Sequence, residues 1–110
     1  MAIQHALPGQ VVDVKPFGDR IAREKTFVVF KSKDLEVLRL VLQAGHSVPE
    51  HSVSGEITVQ CIEGSIDFTV GGQSHVLHAG QLLYVQGGAK HSVAALEDAS
   101  VLVTIALRGT

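Results

Sequence analysis

Short runs of β-type residues, each followed by a turn former, recur along the chain and set the strongest limit on its fold. Many short strands at such regular spacing indicate an antiparallel sandwich or barrel. Glycine supplies many of the turns, and helical periodicity is weak, with residues 19–25 able to form at most one turn. The runs are rich in Val, Ile, Leu, Phe and Thr and cover residues 11–14, 26–30, 35–42, 56–62, 65–70, 74–77, 82–85, 92–96 and 101–107.

The Gly71-Gly72 pair lies between two of these runs and predicts a tight hairpin. A two-residue hairpin turn needs positive φ angles, which glycine adopts without strain. We therefore expect residues 65–70 and 74–77 to be neighbouring antiparallel strands.

Size and composition predict one domain, residues 1–110. The chain has 45% hydrophobic and 18% charged residues with a net charge of −2, so we expect neither disorder nor attraction to nucleic acid or a membrane surface. A single cysteine excludes an internal disulfide framework, and no stretch resembles a secretion signal or a membrane span. We expect a cytoplasmic protein.

Two histidines stand in frames that carry a family resemblance. The first frame runs from Gly45 through His51 to Gly64, and the second runs from Gly80 through His91 to residue 95. Together they resemble the two motifs of the cupin family, in which the first contains His-x-His followed by a glutamate and the second contains a single histidine. The resemblance implies an all-β, double-stranded β-helix (jelly-roll) barrel over residues 35–107, with residues 1–34 adding N-terminal edge strands.

The resemblance also implies a site, although part of the ligand set is missing. Cupins that bind metal use three histidines and one carboxylate turned into the barrel. Here His51 and His91 are kept, whereas Val53 and Ile57 fall on the positions of the other histidine and the glutamate. The two imidazoles would hold a divalent transition metal (Zn, Ni or Fe) weakly, unless Glu56, His46 or a bound ligand adds a donor atom. Alternatively, both stay metal-free and serve hydrogen bonding or proton transfer.

Side-chain alternation assigns the neighbours of the two histidines to a pocket. From Glu56 to Cys61 the even positions are polar and the odd positions apolar, so the odd positions should face the interior and Glu56 should face away, unless a bulge at Gly55 re-aims it. Tyr84 could offer a hydroxyl to a ligand or simply pack. The predicted pocket lining is Val53, Ile57, Val59, Cys61, Val93 and Tyr84.

Three functions fit these observations. We favour a binding protein for a small, mostly apolar molecule, because the predicted lining is apolar with two polar groups. A metal-dependent enzyme, such as a dioxygenase or an isomerase, is the second hypothesis. The third is a non-catalytic interaction module. The polar, outward-facing Thr58 and Gln60 could meet a second subunit, and the resemblance implies a homodimer.

Overall fold

A computed structural model describes residues 5–107 as two antiparallel sheets preceded by one short 3₁₀ helix, Gly18–Arg23. Within this range no helix is both long and apolar enough to cross a bilayer. The strands are β1 (Phe27–Lys31), β2 (Leu35–Leu42), β3 (Ser47–His51), β4 (Ile57–Glu63), β5 (Ser65–Val70), β6 (Gln73–His78), β7 (Leu82–Val85), β8 (His91–Ala95) and β9 (Ala99–Ala106).

The connections between the sheets give a jelly roll. The five-stranded sheet has the order β1-β2-β9-β4-β7, and the four-stranded sheet has the order β3-β8-β5-β6. Strands adjacent in space are mostly distant in sequence, as when β9 pairs with both β2 and β4. The predicted all-β barrel is confirmed.

The β5–β6 hairpin follows from its glycines. Val70 pairs with Gln73 across Gly71 and Gly72, whose φ angles are +60° and +79°. Two consecutive positive φ angles are what a type I′ turn requires. The predicted hairpin is confirmed.

The core lies between the inner faces of the two sheets. On β4, Ile57, Val59 and Cys61 are 4%, 2% and 0% exposed, while Thr58 and Gln60 are half-buried on the other side. Full burial of such an aliphatic side chain stabilises the fold by about 1.5–3 kcal/mol. The inward residues of the opposite sheet belong to the same cluster and are Ile66, Phe68, Leu77, Val93 and Ala95.

One predicted strand is absent, and one observed strand was not predicted. Residues 11–14 form no strand, and Val11 is 91% exposed. This segment pairs with no strand and leads to Lys15, whose carbonyl oxygen accepts a hydrogen bond from Arg39. Of the edge strands predicted within residues 1–34, the described part contains β1, and residues 1–4 lie outside it. Conversely, β3 was not predicted because it contains Pro49, yet an edge strand tolerates proline.

A buried ion pair fastens the N-terminal segment to the outer face of the five-stranded sheet. The register of β4 shifts between Cys61 and Glu63, so Glu63 pairs with Ser100 and turns outward. There it lies 3.4 Å from Nη2 of Arg39, which is only 2% exposed. The Phe17 ring covers the guanidinium at 4.2 Å.

Hydrogen bonds set the charge state of Glu63. Its carboxylate accepts from the Ser100 hydroxyl at 2.6 Å and from the backbone N–H groups of Phe17 and Gly18 at 2.8 and 3.1 Å. Burial alone would raise the pKa of Glu63, but these hydrogen bonds and the charge of Arg39 outweigh it and lower the pKa. For Arg39, burial is the strongest influence and lowers the pKa against the opposing charge of Glu63.

Candidate functional site

A cavity of about 190 Å³ lies between the two sheets and contains both motif histidines. A larger groove of about 700 Å³ follows the N-terminal segment, but neither motif reaches it. The smaller cavity is therefore the candidate site. Its lining consists of His51 and His91 with ten apolar residues, namely Leu38, Leu40, Val48, Val53, Ile57, Val59, Phe68, Val93, Val103 and Ile105.

An irregularity in β3 brings His51 into this cavity. Val48 pairs with Val93, and the next pair is His51 with His91, so three steps along β3 match two steps along β8. Strict alternation from Val48 would have turned residue 50 inward. The extra residue, at the place where Pro49 interrupts the ladder, turns His51 inward instead.

The two imidazoles meet edge to face. Their ring centroids are 4.4 Å apart with an interplanar angle of 63°. Phe68 stacks on His91 at 5.5 Å and 15°. His91 is 5% exposed, whereas His51 is exposed, so the pair runs from the rim of the cavity into its wall.

Backbone carbonyl groups fix the tautomer of both rings. Nδ1 of His51 lies 3.0 Å from the Pro49 carbonyl oxygen, and Nδ1 of His91 lies 3.0 Å from the Ala89 carbonyl oxygen. A carbonyl oxygen can only accept a hydrogen bond, so each Nδ1 carries the proton and donates it. In the neutral ring, Nε2 then keeps its lone pair.

Glycines allow the two motif loops to pack against each other beside the cavity. The Gly88 N–H donates to the Val53 carbonyl oxygen at 2.8 Å. A Cβ atom on Gly87 would lie 2.4 Å from the Ser54 carbonyl oxygen, and one on Gly55 would lie 1.7 Å from the Ala106 carbonyl oxygen. These backbones could not approach so closely with side chains present.

The structure divides the predicted lining in two. Val53, Ile57, Val59 and Val93 line the cavity together with the histidines. Cys61 does not, because it lies farther along β4, fully buried in the core, where its thiol contacts the carbonyl oxygens of residues 63 and 64. Burial raises the pKa of the Cys61 thiol, as expected for an unreactive core residue.

Tyr84 also departs from the predicted lining. It is 59% exposed on the outer face of β7, because Leu83 and Val85 take the inward positions. Its hydroxyl donates to the carboxylate of Glu56, and this hydrogen bond raises the pKa of Tyr84. Glu56 is therefore turned toward an outer-face partner rather than toward the histidines, and the exposed His46 does not line the cavity either.

This donor set does not fit a resident metal ion. Stable transition-metal sites usually present three or four protein ligands. Within residues 5–107, no group of three His, Cys, Asp or Glu side chains is placed to share an ion. At the two motif positions where metal-binding cupins carry donors, Val53 and Ile57 present hydrocarbon.

Sequence reasoning did not identify half of the lining. Phe68 and Val103 enter from β5 and β9, and Val48 enters from the unpredicted β3. For Phe68 and Val103 the signal was alternation within strands outside the motifs, but strand pairing decides which of those faces meet. The other lining residues that were not predicted are Leu38, Leu40 and Ile105.

Comparisons with known proteins agree with the geometry. The KdgF structure from Halomonas sp. superposes with a TM-score of 0.71 at 19% identity, covering 76% of this chain and 77% of that one. An RmlC-like cupin protein from Desulfovibrio desulfuricans gives a TM-score of 0.68 at 27% identity, covering 96% and 97%. A conserved Streptococcus pyogenes protein of unknown function gives 0.75 at 17% identity, covering 100% and 97%.

The sequence itself decides the family. No curated protein sequence matches the chain. The family model of the cupin domain, however, matches residues 38–106, which is more than half of the chain. The matched stretch contains both histidine motifs and eight of the nine described strands wholly or in part. The chain therefore belongs to the cupin family.

Proposed function

We propose that this cupin binds a small, mostly apolar molecule in the cavity, with His51 and His91 as the polar centre. The single observation that carries the proposal is the lining, in which two imidazoles with fixed tautomers interrupt an otherwise hydrocarbon wall. Small-molecule sites generally combine an apolar lining with a few polar groups that orient the ligand.

The size of the cavity limits the ligand to about one substituted ring. An apolar cavity of about 150 Å³ accommodates benzene in a well-studied engineered case. The cavity here measures about 190 Å³, which leaves room for one or two more heavy atoms. A ligand of this size would be largely enclosed, and burial of its apolar surface would supply most of the affinity.

A backbone NMR titration with benzene tests this proposal. We expect saturable shift changes confined to residues that line the cavity. Val53→Phe fills the cavity and should remove them, whereas Val76→Phe adds the same ring at an exposed position on β6 and should leave them unchanged. Shift changes elsewhere, or changes that persist in Val53→Phe, would contradict the proposal.

The metal-dependent alternative has weaker support. Two imidazoles can hold a divalent transition ion only if water or a ligand completes its coordination, so such binding would be weak and reversible by dialysis.

We also propose that the protein is a homodimer formed through the outer face of the five-stranded sheet. In support, Leu82 and Tyr84 leave apolar surface on this face, being 62% and 59% exposed. Such a patch is typical of a contact surface. Light scattering at micromolar concentration should give a dimer that Leu82→Glu dissociates and that Val76→Glu, on the other sheet, does not. A monomeric wild-type protein would contradict this proposal.

A further inference from the structure

We infer that the ligand of this cavity is a hydrogen-bond donor: a neutral, hydroxyl-bearing ring of the phenol type, not an anion and not a plain hydrocarbon. This inference rests on the proposed function and adds the chemical class of the ligand. The lining side chains have hydrogen-bond acceptors available to a ligand but no donors.

Both imidazoles have already used their donor. Each Nδ1–H is engaged by a carbonyl oxygen at 3.0 Å, that of Pro49 for His51 and that of Ala89 for His91. The nitrogen that remains on each neutral ring is an acceptor. The other lining side chains are hydrocarbon, so the lining side chains offer a ligand two acceptors and no donor.

This acceptor-only lining discriminates between ligands. A hydroxyl group reaching Nε2 would satisfy the imidazole and itself, so neither would be buried without a partner. A carboxylate also only accepts, so its charge would lie among apolar side chains without a donor from the lining. A hydrocarbon of the same size would fill the volume but leave the His91 acceptor unpaired.

His91 carries more of this discrimination than His51. Its ring is 5% exposed and stacked on Phe68, so its position is fixed and little of it meets solvent. His51 is exposed, so water can replace a lost ligand contact there. Hydrogen bonds in water-excluded surroundings are the costly ones to lose.

The experiment compares phenol with toluene, which have the same number of heavy atoms, in wild-type protein and in His91→Phe. The variant keeps an aromatic ring against Phe68 and deletes the acceptor nitrogen. Titrations are followed by backbone NMR at pH 8, above the range in which histidine side chains generally carry a charge. Benzoate is the anionic probe, and His51→Phe serves as the matched variant at the rim.

We expect the affinity for phenol, relative to that for toluene, to fall about tenfold in His91→Phe, because a buried hydroxyl loses its partner. His51→Phe should lower the ratio less, and benzoate should not bind detectably. An unchanged ratio in His91→Phe, or benzoate binding as tightly as phenol, would overturn the inference while leaving a ligand pocket in place. If neither toluene nor phenol perturbs the lining residues, the proposed function itself fails.

Discussion

The ion pair between Arg39 and Glu63 should contribute strongly to stability, and its geometry allows the effect to be estimated. The Glu63 carboxylate accepts from two backbone N–H groups and one hydroxyl at 2.6–3.1 Å, and it faces Arg39 at 3.4 Å. A hydrogen bond to a charged group contributes about 1.5–3 kcal/mol, against about 1 kcal/mol for a neutral one. Glu63→Gln keeps the shape but removes the charge and one acceptor oxygen, which weakens or breaks about three such contacts at roughly 1 kcal/mol each. We therefore expect Glu63→Gln to lower the free energy of unfolding by about 2–3 kcal/mol.

Urea unfolding at pH 7 measures this loss. The chain has no tryptophan and one tyrosine, so circular dichroism is the appropriate signal. The matched control is Asp13→Asn, which removes an ion pair to Lys15 at 3.6 Å whose side chains are 66% and 75% exposed. Asp13→Asn should lower the free energy of unfolding by less than about 0.5 kcal/mol, since exposed ion pairs contribute little to stability.

A second variant separates the loss of charge from the loss of shape. Removing one partner of a buried pair leaves the other charge uncompensated, so Arg39→Met should be less harmful in the Glu63→Gln background than alone. We expect a coupling free energy of at least about 1 kcal/mol. Equal costs for Glu63→Gln and Asp13→Asn, or strict additivity with Arg39→Met, would refute the reasoning.

Three further predictions concern pH, metal and the motif loops. Because the folded pKa of Glu63 is lowered, its contribution to stability is fully present above the ordinary glutamate pKa of about 4.3 and is lost as pH falls through the folded value. The urea midpoint of Glu63→Gln should therefore vary less below about pH 5 than that of the wild type. Parallel plots of midpoint against pH for the two proteins would contradict this. Combining Val53→His with Ile57→Glu should create a four-donor set, so Ni²⁺ at 100 times its dissociation constant should stabilise the double variant by about 2.7 kcal/mol in a thermal melt, whereas the wild type should respond weakly. Gly87→Ala should lower the free energy of unfolding, measured in urea, by more than about 2 kcal/mol, because its Cβ would lie 2.4 Å from a carbonyl oxygen. Gly88→Ala should lower it by only about 1–2 kcal/mol, because the new side chain meets strain at φ +82° but no neighbour. The reverse order would contradict the packing of the loops.

Local sequence signals were sufficient for the hairpin and for the inward face of β4. Gly71-Gly72 predicted the turn, and alternation from Ile57 placed three apolar side chains inside. Both signals act within one strand or one turn, where chemistry and geometry are coupled directly.

Signals that depend on distant partners were not readable from the sequence. The run at residues 11–14 has strand composition but pairs with no strand, and Pro49 concealed an edge strand. Tyr84 lies in the second motif but faces outward, because the register of β7 against β4 sets its side. Phe68 stacks on His91 from a strand that belongs to neither motif.

The tautomeric state of the two histidines tests the central claim most directly. In ¹⁵N-labelled protein, long-range proton–nitrogen NMR correlations distinguish the protonated ring nitrogen from the one with a free lone pair. We predict that His51 and His91 are both protonated at Nδ1, and that the Nε2 resonance of His91 moves when phenol is added and not when benzoate is added. Protonation at Nε2 in either ring, or an Nε2 signal of His91 that phenol leaves unmoved, would contradict the account.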